Sequence, residues 1–208
     1  MNSYKCIIFD CDGVLVDSEP IGNQVLADLA NKYGADIDVS YALKYFKGKA
    51  FNTSKTEIET LIGKALPPDF EKQYRELSYA AFKRHIKPIP YVKSVLDSLE
   101  IPFCVASSGP EEKIKLNLRH TGLLPFFNSR IYSCYTINKW KPDPAVFLWA
   151  AKSMGFKPKD CVVIEDSETG IAAAKSGGFN VLVYDPEASY NYTNSFKNMK
   201  ELKTILVK

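Results

Sequence analysis

Long apolar runs are missing from this chain: no stretch approaches the roughly 18 residues that would read as a membrane span. The sequence enters Lys5-Cys6-Ile7-Ile8-Phe9-Asp10 without a basic-then-apolar leader, so neither membrane insertion nor secretion is expected. An excess of one charge is missing too. The 27 Lys and Arg against 24 Asp and Glu leave a net +3, and no basic cluster marks a nucleic-acid groove. Cysteine is sparse and unpatterned: Cys6, Cys11, Cys104, Cys134 and Cys161 are odd in number and never form a C-x-x-C pair. They read as reduced small hydrophobes of a cytoplasmic protein, which excludes a disulfide framework and a zinc site. The two histidines, His85 and His120, lack metal-ligand spacing. What remains is ordinary: 46% hydrophobic and 25% charged residues in 208, enough for one substantial core or one core with a smaller second one.

Short apolar runs of strand length recur at Cys6 to Phe9, Phe103 to Ala106, Arg130 to Ser133, Cys161 to Ile164 and Val181 to Tyr184. Continuous apolarity, where a half-exposed strand would alternate, predicts strands covered on both faces, as in a parallel sheet. Helical segments lie between them. Asp143-Pro144 reads as a helix start, and Phe147, Ala150, Ala151 and Met154 then form a stripe ending at Gly155. Ser167 opens another helix that Gly177-Gly178 closes. The alternation predicts a doubly wound, Rossmann-like α/β fold.

The gap between the first two strands is too long for one crossover. Its content has helical spacing: Ile21, Val25, Leu26, Leu29 and Tyr33 share one face, and segments at 40–46, 52–62 and 69–82 behave alike. The division expected is a core of residues 1–17 and 87–208, with a helical cap inserted at 18–86. Tyr190 to Ser195 reads as a polar surface loop, followed by a short helix containing Met199, Leu202 and Leu206.

Chemistry-bearing residues gather at the strand ends. Asp10 and Asp12 follow the first strand, and period-two geometry lets both carboxylates point one way. Ligands of open parallel sheets bind at such ends. Two carboxylates there repel unless a hard cation such as Mg²⁺ lies between them. Glu165-Asp166, past the strand at 161–164, offers to complete an oxygen-only shell, and phosphate oxygens suit the remaining positions. Ser107-Ser108-Gly109 supplies a hydroxyl and backbone N–H groups for a phosphoryl group, and Lys141 supplies a positive charge. One carboxylate can then act as nucleophile while the other handles the proton.

These motifs resemble the haloacid dehalogenase superfamily of phosphotransferases: Asp10-x-Asp12-Gly13-Val14, Ser107, Lys141 within Lys-Pro-Asp-Pro, and Glu165-Asp166-Ser167, in that order. The insertion sits where the β-phosphoglucomutase-like subgroup carries its helical cap. The resemblance implies Asp10 as nucleophile, Asp12 as general acid/base, and Ser107 and Lys141 as phosphoryl stabilisers. It also implies Mg²⁺ held by the Asp10 side chain, the Asp12 backbone carbonyl and Asp166, with Glu165 assisting. Ser108, Gly109 and the cap-loop residues Lys47, Gly48 and Lys49 are the expected substrate contacts.

Two departures favour hydrolysis over mutase chemistry. Gly22 stands where the mutase has a cap-helix histidine, and Phe51 where it has a phosphate-gripping arginine. The second aspartate, Asp12, argues against the dehalogenase branch. Phe-Lys-Gly in the cap loop, Ser-Ser-Gly-Pro at the second motif and Trp-Lys-Pro-Asp-Pro at the third look most like bacterial 6-phosphogluconate phosphatases. The expectation is therefore a monomeric, Mg²⁺-dependent phosphatase of a small phosphorylated metabolite, with no nucleic-acid or membrane partner. A phosphomutase, or a catalytically silent binding protein of the same fold, stands as the alternative; the silent reading requires a lost motif residue, and none is lost.

Overall fold

A computed structural model of the chain describes residues 4–207; residues 1–3 and 208 of the expected core lie outside it. Six parallel strands, β1 (Cys6–Phe9), β2 (Phe103–Ser107), β3 (Ile131–Ser133), β4 (Cys161–Glu165), β5 (Asn180–Tyr184) and β6 (Ser195–Phe196), form one sheet in the order β3-β2-β1-β4-β5-β6. The order reverses between β1 and β4, the switch point at which an open α/β sheet leaves a crevice beyond its strand ends.

The apolar runs are continuous because they serve two layers. Successive side chains leave a strand on opposite faces. Ile7, Phe9, Phe103, Val105, Val162, Ile164 and Leu182 enter one apolar cluster, while Cys6, Ile8, Cys104, Ala106, Cys161, Val163, Val181 and Val183 enter the other. The first face is covered by α5 (Val92–Ser98), α6 (Glu111–His120), α7 (Leu124–Phe127) and α11 (Met199–Val207), the second by α9 (Ala145–Met154) and α10 (Glu168–Ser176). A one-turn helix, α8 (Cys134–Ile137), follows β3 directly. All five cysteines are buried and unbridged. Cys11 packs among Phe9, Val14 and their neighbours.

Four helices fill the insertion: α1 (Glu19–Lys32), α2 (Val39–Phe46), α3 (Phe51–Ile62) and α4 (Phe70–His85). They enclose an apolar cluster of their own, including Leu26, Leu29, Ala42, Phe46, Ile58 and Phe70. The buried stripe of α1 is rotated from the expected one. Gly22, Asn23, Ala27 and Ala30 are buried with Leu26 and Leu29, whereas Ile21 and Val25 are only partly so, because α4 and α2 cover the small residues closely.

Two local expectations shift. Pro144, not Asp143, occupies the N-cap of α9, and Asp143 contributes through its side chain, which accepts from the Ala145 N–H at 2.8 Å. The polar segment at 190–195 runs into β6, with the Val183 N–H donating to the Asn194 carbonyl at 3.1 Å and Phe196 buried. A two-residue strand carries no periodicity to read.

Asn117 on α6 is fully buried, and neither its Oδ1 nor its Nδ2 has a hydrogen-bond partner among the described residues. An unpaired buried amide costs about 1–3 kcal/mol. Asn117→Leu, close in volume and without polar atoms, is expected to raise stability by that order in urea unfolding; a loss of stability would contradict the account.

Candidate active site

The strand ends assemble one cavity between sheet and insertion. It is lined from the core by Asp10, Asp12, Ser107, Ser108, Gly109, Lys113, Tyr135, Lys141, Glu165 and Asp166, and from the insertion by Glu19, Lys47, Lys49, Phe51, Tyr74 and Arg75, among others. Parallel register brings the key residues level: Phe9 pairs with Ile164, so Asp10 lies beside Glu165, and its N–H donates to the Ile164 carbonyl at 2.9 Å. Ser107 ends β2, where its buried Oγ accepts from the Gly109 N–H at 3.1 Å.

Lysines are interleaved with the carboxylates. Lys141, its side chain only 3% exposed, donates to Asp10 Oδ1 at 2.5 Å, Glu165 Oε1 at 2.6 Å and the Ala106 carbonyl at 3.3 Å. Lys113 donates to Asp12 Oδ2 at 2.9 Å, while Ser18 Oγ bonds Asp12 Oδ1. Lys47, from the loop between α2 and α3, reaches Asp166 Oδ2 at 3.1 Å. These pairings separate two similar acids. Burial, reinforced by Glu165, Asp12 and Asp166, drives the Asp10 carboxyl well above its ordinary range despite Lys141. Burial acts on Asp12 too, but Lys113 and Ser18 outweigh it and hold that carboxyl below its ordinary value. Asp166 is pushed up to about 7 by burial and by Glu165, against the opposing charge of Lys47.

Glu165 lines the cavity with both carboxylate oxygens bonded. Oε1 accepts from Lys141, and Oε2 accepts from the N–H groups of Asp166 and Ser167, both at 2.9 Å, and from Ser167 Oγ at 3.0 Å. Its carboxylate locks Lys141 to the first turn of α10. The site makes room for this at Gly170, where a Cβ would overlap the Glu165 carboxylate. Gly13, at φ +81°, likewise lets the Asp166 carboxylate lie against the loop that carries Asp12, where any Cβ would overlap it.

That close approach tests the fit of a cation. Asp10 and Asp166 present carboxylate oxygens beside the 10–13 loop, and no cluster of three or more His, Cys, Asp or Glu side chains in metal-holding geometry occurs among the described residues. A sparse all-oxygen set suits Mg²⁺, which takes one or two carboxylates and fills its shell with water and phosphate oxygens. The charges agree: four carboxylates, Asp10, Asp12, Glu165 and Asp166, face three ammonium groups, Lys47, Lys113 and Lys141. The residues fit the ion.

A pH-dependent response follows. A carboxyl whose folded pKa is raised holds an extra proton between its ordinary value and about 7, so it costs stability as pH rises through that window. A divalent cation compensates only once the proton has left. Mg²⁺ at about 10 mM should raise Tm by a few degrees near pH 8 and by much less near pH 5.5. Equal shifts at both pH values in thermal melts would refute the link to Asp166.

The insertion adds residues that motif reading did not single out. Arg75, Tyr74 and Glu19 line the cavity, as does Lys113 from α6. Lys113 had a weak sequence signal, since Pro110-Glu111-Glu112 marks a helix start just past the second motif; its partner lies 101 positions earlier. Lys49 pairs with Glu57 at 2.6 Å on the cavity rim. Gly48 touches the core, its carbonyl accepting from Thr169 Oγ1 at 3.3 Å. Phe51 stacks on Tyr74 with ring centroids 5.2 Å apart.

Residues 4–178 match the haloacid dehalogenase-like hydrolases. The chain belongs to that family. It is accordingly an enzyme of the hydrolase/phosphatase kind, in a family whose members typically depend on Mg²⁺. Among curated proteins it is 29% identical to the 6-phosphogluconate phosphatase of Escherichia coli, over 88% of this chain and 84% of that one. It is 28% identical to the phosphorylated carbohydrates phosphatase of Thermotoga maritima, over 95% and 89%. Among solved structures, a haloacid dehalogenase-like protein of Agrobacterium tumefaciens superposes with a TM-score of 0.84 at 29% identity, covering 98% of both chains. A family hydrolase of Deinococcus radiodurans with bound phosphate and sodium gives 0.78 at 27%, over 100% and 96%. No described helix is long and apolar enough to cross a membrane.

Proposed function

We propose that this haloacid dehalogenase-like enzyme hydrolyses a small phosphorylated sugar or sugar acid, 6-phosphogluconate among the candidates, through an aspartyl-phosphate on Asp10. The observation that carries the reading is the placement of two neighbouring aspartates, each beside its own lysine, at one edge of the sheet. Asp10 is gripped by Lys141 beside Ser107, and Asp12 is bonded by Lys113 and Ser18. Asp10 attacks the phosphoryl group, and the bond to the leaving oxygen breaks. Asp12, carrying a proton taken from solvent as the substrate enters, gives it to that oxygen, and the carboxylate so formed later accepts one from the water that hydrolyses the acyl phosphate. Lys141, Ser107 and the N–H groups at Ser108 and Gly109 balance charge on the transferring oxygens. Mg²⁺ at Asp10, the Asp12 carbonyl and Asp166 would neutralise phosphate charge and orient it. Glu165 acts through Lys141.

The insertion at 18–86 serves as a cap that excludes water and presents Lys47, Gly48 and Lys49 toward the substrate. Hydrolysis is favoured over mutase chemistry by Phe51, which lines the cavity and stacks on Tyr74 at the position where the resemblance to the mutase calls for a phosphate-gripping arginine.

A phosphate-release panel with Mg²⁺ tests the reading, run over hexose phosphates, sugar-acid phosphates and nucleotides. Release is expected from sugar or sugar-acid phosphates above nucleotides. Isomerised sugar phosphate without free phosphate would favour the mutase instead, and no turnover of any kind the silent binding protein.

A further inference from the structure

The insertion meets the core along two lips of the cavity. On one, Lys47 and Gly48 reach Asp166 and Thr169. The other is formed by α4, where the Tyr79 hydroxyl donates to Glu112 Oε1 at 3.0 Å and Arg75 Nη2 donates to the Tyr135 hydroxyl at 2.8 Å. Glu71, one turn earlier on α4, accepts from Nε and shares Nη2, so the guanidinium is aimed at the core by its own helix. Its carbon lies 5.1 Å from the centroid of the Tyr135 ring. Arg75 thus meets Tyr135 twice, through the hydroxyl and over the ring, with its side chain only 21% exposed.

The two contacts of this lip lead to different places in the core. Tyr135 stands in α8, the single turn after β3, and that turn is tied to two segments of the phosphoryl site. Its N–H donates to Ser133 Oγ at 3.1 Å, and the same buried hydroxyl donates to the Gly109 carbonyl at 2.6 Å, which joins α8 to the loop after Ser107. The Tyr135 ring meets Trp140 edge to face, with centroids 5.2 Å apart. Trp140 is followed directly by Lys141, whose ammonium bonds Asp10 and Glu165. Trp140 itself packs on the face of the sheet covered by α9 and α10 and does not line the cavity. Glu112 has no comparable bond to either segment among the described residues.

We propose that Tyr135 is a positioning residue through which docking of the insertion is felt at the phosphoryl site. When Arg75 engages it, α8 is fixed, and with it the 107–109 loop and the segment that delivers Lys141, so phosphoryl transfer runs at full rate only with that contact made. The proposal rests on the phosphatase reading and adds the link by which the insertion acts on the chemistry.

A double-mutant cycle on Arg75→Met and Tyr135→Phe tests the coupling, with p-nitrophenyl phosphate and Mg²⁺ as the turnover probe. Each single variant should lose about ten-fold in kcat, the equivalent of one hydrogen bond to a charged group, while KM changes little. The double variant should lose no more than either single one, because the same bond is missing from all three. Tyr79→Phe, which removes the neighbouring bond of the same lip, should keep kcat near the wild-type value. Arg75→Lys, which leaves a donor on α4, should recover part of the loss and takes the place of the Met variant if that one fails to fold. A second readout needs no turnover. In a Trp149→Phe background Trp140 is the sole tryptophan, and acrylamide should quench it more readily once Arg75→Met is added, although Arg75 reaches it only through Tyr135. Additive losses, an equal loss in Tyr79→Phe, or Trp140 quenching unmoved by the Arg75 change overturns the coupling. Full-rate turnover in every variant would do so while leaving the phosphatase reading intact. Absence of phosphate release by the wild type would remove that reading instead, and Trp140 quenching would then decide the coupling alone.

Discussion

Asp10→Asn should abolish turnover while leaving the fold as stable as before, or more so. Removing the nucleophile from a group that acts as a unit with its neighbours costs on the order of 10⁴-fold or more in kcat. The stability half of the prediction comes from the site's electrostatics. Burial and three nearby carboxylates raise the Asp10 pKa well above its ordinary value, so in the absence of metal its ionised form is a burden on the folded state. An amide of the same shape removes that burden, and Lys141 keeps its bond to Glu165 at 2.6 Å. Phosphate release and a thermal melt in Mg²⁺-free buffer read the two halves separately. Trapping wild-type enzyme during turnover with borohydride, followed by peptide mass spectrometry, should place the reduced acyl phosphate at residue 10. A variant that keeps more than about one per cent of turnover, or a label elsewhere, would remove Asp10 as nucleophile.

Gly170→Ala should cost both rate and stability, although the residue touches no substrate. A Cβ at this position would fall on the Glu165 carboxylate. That carboxylate cannot swing aside without breaking its bonds to Lys141, to the Asp166 and Ser167 N–H groups and to Ser167 Oγ. Losing one partner of a buried ion pair costs about 3–5 kcal/mol, which for a chain of this length is a fall in Tm of roughly 6–20 °C. Lys141 would drift from its position beside Asp10, and a shift of about 1 Å in such a group costs on the order of 10²-fold in rate. Glu165→Gln separates the two effects: it keeps the shape and part of the bonding, so it should be less destabilised than Gly170→Ala while still losing rate. If Gly170→Ala melted and turned over like wild type, the role given to Glu165 would be wrong.

Both results turn on the difference between what a motif announces and what packing arranges. Asp10, Asp12, Ser107, Lys141 and Asp166 were legible because each sits next to an apolar strand or a turn that a linear reading can find, and parallel strands put their carboxyl ends at one edge. The strands themselves were legible because a run buried on both faces is apolar at every position. The bonds of Glu165 were not legible for a physical reason: adjacency to Asp166 says nothing about the direction of its carboxylate, which follows from a missing side chain at Gly170 and from the N–H groups opening α10. β6 escaped because two residues cannot show a period. The rotation of α1 escaped because glycine, alanine and asparagine were buried by close-fitting neighbours and not by their own hydrophobicity.

By itself, then, the sequence determined the α/β alternation, the helical character of the insertion, and the acidic, hydroxyl and lysine groups that face one sheet edge, because those depend on local periodicity and on residue chemistry. Only the tertiary structure decided which lysine serves which carboxylate. Lys141 and Asp10 are 131 positions apart, Lys113 and Asp12 101, and Arg75 and Tyr135 60. Such pairings separate the behaviour of Asp10 from that of Asp12 and tie a guanidinium of the insertion to a tyrosine of the core. They depend on how helices of the insertion and strands of the core meet in space, and a distance through space leaves no mark on local sequence.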